Sequence, residues 1–382
     1  MKPTTSRRRF LRFLGAAGLG SVAGGGLGVA LARALGRPAP LDLGSMSAIS
    51  DRPEDLETPL DALTLPFTPN DVFFVRSHHG PPLEPRADWA LEVGGRDGLR
   101  LSLADLRSFP RVSLPAVLQC SGNGRAFFQP RVPGAQWKRG GVGQATWTGA
   151  RLSDVLARAS SNKGERFLTV AGADAPPMPT TPDFARSIPL DRAIDPTTLI
   201  AYEMNGEPMP YLHGAPARLV VPGWVGDDWV KWLRRIDLTD QEDPGFYMRT
   251  AYRLPAPDGH GTSAMTELPV KSIVARPGEG AVLRRGVHAL AGVAFSGGAR
   301  VARVEISVDG GRTWFDATLE GPDLPGAWRV WRATWRASTL GTAVICSRAT
   351  DSKGATQTDS TSWNHGGYLW NAIDRVPVEV TS

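Results

Sequence analysis

Cys120 is the residue of this chain best placed for chemistry, because it lies in a glycine-rich turn that also carries an arginine. The segment from Gln119 to Arg125 reads Q-C-S-G-N-G-R, and the backbone N–H groups of such a turn are free to face a ligand. A thiolate beside a fixed cation suits a nucleophile or a soft metal ligand, since both roles need the deprotonated sulfur. The alternative is a buried structural cysteine, because free cysteine is among the most buried residue types.

A second group of polar side chains follows a short apolar run. Residues 70–80 read N-D-V-F-F-V-R-S-H-H-G, and the run from Val72 to Val75 predicts a short strand that stops before Gly80. Arg76 and two histidines therefore stand at the end of that strand, where polar side chains can line a pocket. A single histidine in such a place is more often an ordinary surface or core residue than a ligand.

The elements that must position these residues alternate irregularly between strands and helices. The apolar residues 114–118 predict a buried strand that leads into Cys120, and residues 89–95 predict another strand and a turn. Residues 102–106 have the pattern of a capped helical turn, and residues 147–152 lead into a helix with one apolar face. This mixture indicates an α+β domain.

The C-terminal part, from about Thr262, has a different pattern. Residues 301–308 alternate along the chain, with Val304, Ile306 and Val308 on the inward face, and they end at a D-G-G hairpin turn. Further strands are predicted at residues 290–295, 328–335 and 343–349. Short strands separated by Gly, Pro and Asp turns indicate an immunoglobulin-like sandwich, a fold that by itself gives no function.

The first 34 residues have the features of a twin-arginine (Tat) export signal. Residues 6–12 read S-R-R-R-F-L-R, and an apolar, Gly- and Ala-rich stretch with small residues around 30–34 follows. A transmembrane anchor is the alternative, but the short, glycine-diluted apolar core favours cleavage. We therefore expect a periplasmic protein that meets the membrane only during export.

Composition excludes several function classes. Without the six cations of residues 1–34, the 43 basic and 38 acidic residues become 37 and 38, so the mature chain is close to neutral. It has no basic stripe with interleaved aromatic residues, and we expect no nucleic-acid partner. Two cysteines rule out a disulfide scaffold, and Cys346 lies in an apolar run that predicts a buried structural thiol.

Seven motifs in order, over some 160 residues, resemble those of the sulfite oxidase family of molybdenum enzymes, in particular the exported bacterial sulfite dehydrogenase type. The family's F-V-R-N-H segment corresponds to Phe74–His78, with Ser77 in place of the asparagine, and its Q-C-A-G-N-x-R loop corresponds to Gln119–Arg125. The other five motifs are W-x-G-x-R-L at 147–152, A-Y-E-M-N-G at 201–206, H-G-x-P-x-R at 213–218, V-P-G-W at 221–224 and V-K-W-L at 230–233.

The resemblance runs from about Pro66 to the C-terminus and implies the domain organisation. It predicts an α+β sulfite-oxidase-type molybdopterin domain followed by an all-β immunoglobulin-like sandwich domain that forms a homodimer. The expected boundaries are a signal peptide at 1–34, a connector at 35–65, the catalytic domain at 66–255 and the dimerisation domain at 262–382.

The resemblance also implies roles for individual residues. Cys120 would ligate molybdenum beside the dithiolene of a molybdopterin, and Arg76 and Arg125 would bind substrate oxygens through charge-assisted hydrogen bonds. A structural salt bridge is the alternative for each arginine. Tyr252 would be the substrate-side tyrosine, with Tyr247 as the alternative.

Among the implied cofactor-binding residues, His213, Arg218 and Lys231 would face the pterin and its phosphate. Asp174 would accept hydrogen bonds from the pterin amino groups. The full set is Phe74, Val75, Arg76, Ser77, His78, Asp174, His213, Arg218, Val230 and Lys231.

One departure from the family pattern bears on the substrate. Animal members carry W-N-L-R-G near the C-terminus, with the arginine reaching the substrate pocket, whereas residues 363–367 read W-N-H-G-G. The third anion-binding arginine is thus missing at Gly366. His365 could substitute for it with a charge that depends on pH, or the pocket could accept another sulfur substrate.

The activity implied by the resemblance is oxidation of sulfite to sulfate, with electrons passed to an external c-type cytochrome. The sequence contains no C-x-x-C-H haem attachment motif, and we expect no haem in this chain. Two alternatives share the fold: a sulfane dehydrogenase subunit that acts on carrier-bound sulfur, and a sulfoxide reductase. A third, from a different class, is a non-catalytic exported binding protein.

Overall fold

The computed structural model shows a chain built mostly of β-strands. It describes residues 43–51, 53–82, 88–94, 98–159, 164–256 and 259–382, and residues 45–382 pack as one unit. The expected Tat signal at 1–34 lies outside the described residues. Among those described, no helix is long and apolar enough to cross a membrane.

The first part of the chain contains two five-stranded sheets. Its strands are β1 (Ser47–Asp51), β2 (Glu54–Glu57), β3 (Ala90–Val93), β4 (Leu99–Ser102), β5 (Arg111–Gln119), β6 (Val142–Arg151), β7 (Phe167–Gly172), β8 (Ala185–Pro189), β9 (Leu199–Met204), β10 (Glu207–Pro208), β11 (Arg218–Val220) and β12 (Leu233–Thr239). One sheet has the order β10-β9-β6-β5, with β11 also paired to β9, and the other has the order β4-β3-β12-β7-β8. One core, rich in tryptophan and branched apolar side chains, packs between them.

The helices of this part are short, and they connect strands. They are α1 (Leu103–Ser108), α2 (Leu152–Leu156), α3 (Leu190–Ala193) and α4 (Phe246–Arg249), with single 3₁₀ turns at Leu60–Thr64, Asn70–Val72, Arg125–Phe127, Tyr211–His213 and Gly226–Asp228. Helix α1 begins with a capping box, in which Ser102 and Asp105 satisfy each other's backbone N–H groups. Helix α2 buries Leu152 and Val155.

The second part of the chain is a sandwich of two sheets. Its strands are β13 (Arg253–Pro255), β14 (Thr262–Ala264), β15 (Lys271–Arg276), β16 (Val282–Arg284), β17 (Gly286–Phe295), β18 (Val301–Ser307), β19 (Phe315–Asp316), β20 (Thr318–Glu320), β21 (Arg329–Ala337), β22 (Gly341–Asp351) and β23 (Asp374–Thr381). The sheet β15-β17-β21-β20 faces the sheet β16-β23-β22-β18-β19, and β13 pairs with β14 as a separate ribbon. The α+β domain and the all-β sandwich predicted from the sequence are both confirmed.

Most of the predicted elements are present, but the strand predicted from Val72 to Val75 is wrong. The chain there forms the 3₁₀ turn Asn70–Val72, and Val75 makes only an isolated bridge with Leu56. Phe73 in this run is buried edge-on against Trp147. The run is apolar because its side chains anchor a loop in the core. An apolar run of this length does not distinguish a strand from such a loop.

A C-terminal segment of the sandwich, residues 364–371, closes over the turn that follows β5. The N–H of Leu369 donates to the carbonyl of Ser121 at 2.9 Å. Gly124 has a left-handed backbone, with φ of 96°, and a Cβ atom there would lie 2.6 Å from the Cβ of Trp370. The turn therefore needs glycine at this position for both its conformation and its contact with the sandwich.

Candidate functional site

Cys120 lies at the corner where β5 ends and the glycine turn begins. Its N–H donates to the carbonyl of Gly141 at 2.9 Å, and its own carbonyl accepts from the N–H of Asn123 at 2.9 Å, so the corner is fixed on both sides. Burial raises the pKa of the Cys120 thiol, although Arg76 and Arg125 act to lower it. A thiol in this state gives up its proton when a metal binds the sulfur.

The thiol opens into a pocket that collects most of the site residues predicted from the sequence. The pocket is lined by Phe74, Arg76, Ser77, His78, Leu118, Cys120, Ser121, Asp174, Phe184, Leu212, His213, Arg218, Gly226, Asp227, Trp229, Val230, Lys231, Trp232 and Tyr252. The lining comes from loops after β5, before β11 and after α4, which are far apart in the sequence. The fold thus brings together eleven residues to which the resemblance gives a role.

Arg76 occupies one side of this pocket and is paired with an acid. Its guanidinium lies 3.4 Å from Asp55 and also donates to the carbonyl of Ser77. Burial acts to lower the pKa of Arg76, but Tyr252, Asp55 and Cys120 together raise it above its ordinary value. The guanidinium is therefore a permanent cation beside the Cys120 sulfur.

Tyr252 is held against the same side by His78. The hydroxyl of Tyr252 shares a hydrogen bond with Nε2 of His78, and the imidazole stacks on Phe184 with centroids 4.3 Å apart. Burial holds the pKa of His78 well below its ordinary value, so its ring is neutral at pH 7. Tyr247 packs on the other side of His78 and is not among the lining residues.

The far end of the pocket is rich in buried basic groups. Arg218 donates to the carbonyls of His213 at 2.9 Å and Trp229 at 2.8 Å, and its Nε has no hydrogen-bond partner among the described residues. Burial lowers the pKa of Arg218 to about 9. Lys231 donates to the carbonyl of Leu212 at 2.9 Å, and burial with the repulsion from Arg218 lowers its pKa to about 7.

Only one carboxylate of the lining lies near these basic groups. Asp174 attracts Lys231 and lies 3.8 Å from the ring of His79. In the part of the chain that the structure describes, the two ring nitrogens of His79 are buried without a hydrogen-bond partner. Burial is also the main reason why the pKa of His213 falls to about 3. Buried cations that face mostly carbonyl oxygens are costly unless an anion joins them, so this end fits a group that carries a phosphate.

A metal at Cys120 would fit the same arrangement. Within the described residues, no three His, Cys, Asp or Glu side chains come together as a metal site of their own. A thiolate is a soft ligand, and a molybdopterin brings two further sulfur ligands through its dithiolene. Cys120 at one end and the basic residues at the other are therefore consistent with the cofactor that the resemblance implies.

Two residues predicted for the site lie outside the lining. Val75 is buried, and its backbone pairs with Leu56. Arg125 points toward the sandwich, where its Nε donates to the carbonyl of Gly366 at 2.9 Å and its Nη1 donates to that of Ala135 at 3.0 Å. Its assignment as a substrate ligand stays a prediction.

Several lining residues were not predicted from the sequence. Ser121, Asp227 and Trp229 lie within or next to matched motifs, so a closer look at those segments could have found them. Leu212 directly precedes the motif at 213–218. Phe184 has no local signal, because only the tertiary fold brings it to the pocket.

Comparison with known proteins identifies both parts of the chain. Residues 78–247 match the family described as "Oxidoreductase molybdopterin binding domain", and residues 262–381 match "Mo-co oxidoreductase dimerisation domain". The first match lies in the α+β domain, and the second lies in the sandwich.

Full-length relatives extend this result. Mitochondrial sulfite oxidase of Mus musculus is 40% identical over 358 residues, which are 87% of this chain and 65% of that protein. The chain thus spans somewhat less than two thirds of that relative's length. Sulfite oxidase of Gallus gallus is 38% identical over 351 residues, 85% of this chain and 76% of that protein.

A solved structure has the same fold over most of the chain. The crystal structure of the sulfane dehydrogenase SoxCD from Paracoccus pantotrophus has a TM-score of 0.77 and 28% identity, with 88% of each chain covered. The chain belongs to the sulfite oxidase family of molybdopterin enzymes.

Proposed function

We propose that this protein is an exported, periplasmic sulfite dehydrogenase. It would convert sulfite and water to sulfate, two protons and two electrons, and pass the electrons to a separate c-type cytochrome. The observation that carries the proposal is the placement of the Cys120 thiol and the Arg76 guanidinium in one pocket with a separate set of buried basic groups.

The two ends of the pocket would hold different parts of the cofactor. Cys120 would supply the one protein thiolate to molybdenum, while Arg218, Lys231 and the His213 loop would bind the pterin and its phosphate. When bound, the molybdenum centre supplies the oxygen-atom transfer to a sulfur lone pair and takes up two electrons.

Arg76 and Tyr252 would bind the sulfur oxyanion. The Arg76 guanidinium offers paired N–H donors to two substrate oxygens, a geometry that a lysine does not reproduce. The Tyr252 hydroxyl can donate to a third oxygen while the neutral ring of His78 fixes its orientation. Phe184, Trp229 and Trp232 surround these polar groups with apolar surface, which limits water and strengthens the charged hydrogen bonds.

A second candidate substrate is a carrier-bound sulfane group. Arg125 is turned away from the pocket toward the Gly366 carbonyl, which leaves Arg76 as the one arginine of the Cys120 side that lines it. A pocket with fewer cations suits a less charged substrate than sulfite. The likeness to a sulfane dehydrogenase structure supports the same alternative.

Export and assembly belong to the same proposal. The twin-arginine pattern of residues 6–12 supports transport of the folded, cofactor-loaded protein to the periplasm. The match of residues 262–381 to a dimerisation domain supports a homodimer formed through the sandwich.

The decisive experiment is metal analysis followed by a turnover assay. Protein purified from a molybdopterin-competent host should contain nearly stoichiometric molybdenum and should reduce a c-type cytochrome when sulfite is added. Absence of molybdenum would reject every enzymatic alternative and leave a binding protein. Turnover of a sulfane on a carrier, with none on free sulfite, would reject our first choice in favour of the second.

A further inference from the structure

Arg186, on strand β8, forms a buried ionic network directly behind the pocket wall. Its side chain is 1% exposed, its Nε lies 2.8 Å from Asp228 and its Nη2 lies 3.2 Å from Asp227. Asp227 lines the pocket, whereas Arg186 and Asp228 do not.

The network reaches the Cys120 corner through Asp227. The carboxylate of Asp227 accepts a hydrogen bond from the hydroxyl of Ser121, the residue that follows Cys120 in the turn. The corner is thereby tied to Arg186 through one carboxylate, with no direct contact between Arg186 and Cys120.

The same guanidinium also reaches the part of the lining that contains Tyr252. It donates to the carbonyl of Tyr247, and it lies over the ring of Tyr252, 5.4 Å from the centroid. Tyr252 has a left-handed backbone, with φ of 57°, a conformation that a non-glycine residue keeps only when its surroundings hold it there. Tyr368 stacks on Tyr252 with centroids 5.4 Å apart.

We propose that Arg186 is a positioning residue, which sets the spacing between the Cys120 corner and the Tyr252 ring in the pocket lining. This inference rests on the proposed function for its catalytic consequence. The role needs the planar guanidinium, because one group must meet two carboxylates, a carbonyl and an aromatic face at fixed angles. A lysine ammonium would keep the charge and lose this geometry.

The test compares two conservative substitutions in the holoenzyme. Arg186→Lys should lower kcat for sulfite by roughly 10- to 100-fold, the expected range for a displacement of about 1 Å of a catalytic group, with a smaller change in KM. It should also shift the thiolate-to-molybdenum absorption band, because Cys120 moves with Ser121. Molybdenum content should stay near that of the unchanged protein.

Arg192→Lys is the control. Arg192 pairs with one aspartate, Asp195, at 3.2 Å, donates to the carbonyl of Pro222 and lies 5.5 Å from the ring centroid of Trp224, but it does not line the pocket. Because its side chain is 20% exposed, we expect a smaller loss of thermal stability than for Arg186→Lys, with kcat and the absorption band unchanged. Equal effects of the two substitutions on kcat, or a lower Tm for Arg186→Lys with an unshifted band, would overturn the proposal.

Ser121→Ala keeps the test decisive if Arg186→Lys does not fold. This change removes only the link between Asp227 and the corner, and it should shift the band and lower kcat by several-fold, a smaller effect than that of Arg186→Lys. An unchanged band and kcat would contradict the positioning role. The absorption band can be recorded without turnover. A protein that holds molybdenum but does not oxidise sulfite would therefore reject the proposed function, and the band would still test the positioning role.

Discussion

The two ends of the pocket differ in how their charges are balanced. At the far end, Arg218 faces backbone carbonyls, and Asp174 is the one lining carboxylate close to Lys231. At the Cys120 end, Arg76 is paired with Asp55, and Arg186 is paired with Asp227 and its neighbour. At the far end, Arg218 has no carboxylate partner among the described residues, whereas each of the two guanidinium groups at the Cys120 end has at least one.

This difference indicates what each end binds. Buried cations without acids are stabilised only by a resident anion, which fits a cofactor that stays bound. Balanced charges bind an anion weakly enough for it to leave, as a substrate becoming a product must. One pocket can thus hold a cofactor permanently and a substrate transiently, because its two ends differ in the number of carboxylates placed near each cation.

Removal of the proposed metal ligand should have the largest effect. Cys120→Ser replaces a soft thiolate by a hydroxyl that is a poor ligand for molybdenum, and we expect kcat to fall by on the order of 10³-fold or more, equivalent to about 4 kcal/mol in the barrier. Turnover per molybdenum is the measurement. Cys346→Ala, in a buried strand away from the pocket, should leave it unchanged; a Cys120→Ser enzyme with full kcat would remove the assignment.

Arg218→Met tests the far end. It should lower the molybdenum content about 10-fold or more, as loss of a charged ligand contact does, without lowering the Tm of the cofactor-free protein, because an unpaired buried cation is removed. The measurements are metal analysis and thermal unfolding of both forms.

Arg139→Met is the control for that substitution, since Arg139 is a buried arginine that has acids, with Asp374 at 2.9 Å and Glu279 at 2.8 Å. It should cost about 3–5 kcal/mol of stability and leave the molybdenum content unaltered. If both substitutions gave the same pattern, the contrast between the two ends would fail.

Arg76→Gln tests the Cys120 end. It should raise KM for sulfite about 10- to 100-fold through the loss of a charge-assisted hydrogen bond, with molybdenum retained. Arg111→Gln, at an exposed pair with Glu203, should change neither quantity. A normal KM in the Arg76 variant would clear this residue of substrate binding.

The smallest expected effect is a pH dependence at Lys231. Its pKa is about 7 in the folded protein without cofactor, below the ordinary value of 10.5, so the unfolded chain binds more protons between those values. Stability of the cofactor-free protein should therefore rise as pH increases from about 7 toward 10. Cofactor phosphate favours the charged lysine, and the holoenzyme should lose the part of this slope that Lys231 contributes.

Lys231→Met should reduce the slope of the cofactor-free protein, as judged by Tm at pH 6.5 to 9, to that of the unchanged holoenzyme. Burial also lowers the pKa of Lys271 to about 7, so Lys271 contributes a slope of its own, although it does not line the pocket. Lys271→Met is the control, because the difference between the cofactor-free protein and the holoenzyme should persist in it. A difference that survives in Lys231→Met would show that another group causes it.

The sequence predicted contiguous parts of the site better than parts built from distant residues. The Cys120 turn and the basic residues before and after β11 lie in short motifs, so their presence could be predicted together. The orientation of Arg125 could not, because it depends on the Gly366 carbonyl, 241 residues away. Arg186 was missed for the same reason: nothing in its own strand indicates partners on two loops.

The closure of the Cys120 turn by residues 364–371 has a consequence for biogenesis. Leu369 and Trp370 belong to the last 14 residues of the 382-residue chain, and they provide a hydrogen bond and a packing surface to a turn made some 245 residues earlier. The turn gains these contacts only after residues 364–371 have been synthesised. We therefore expect stable retention of a cofactor at Cys120 to follow the synthesis of this segment.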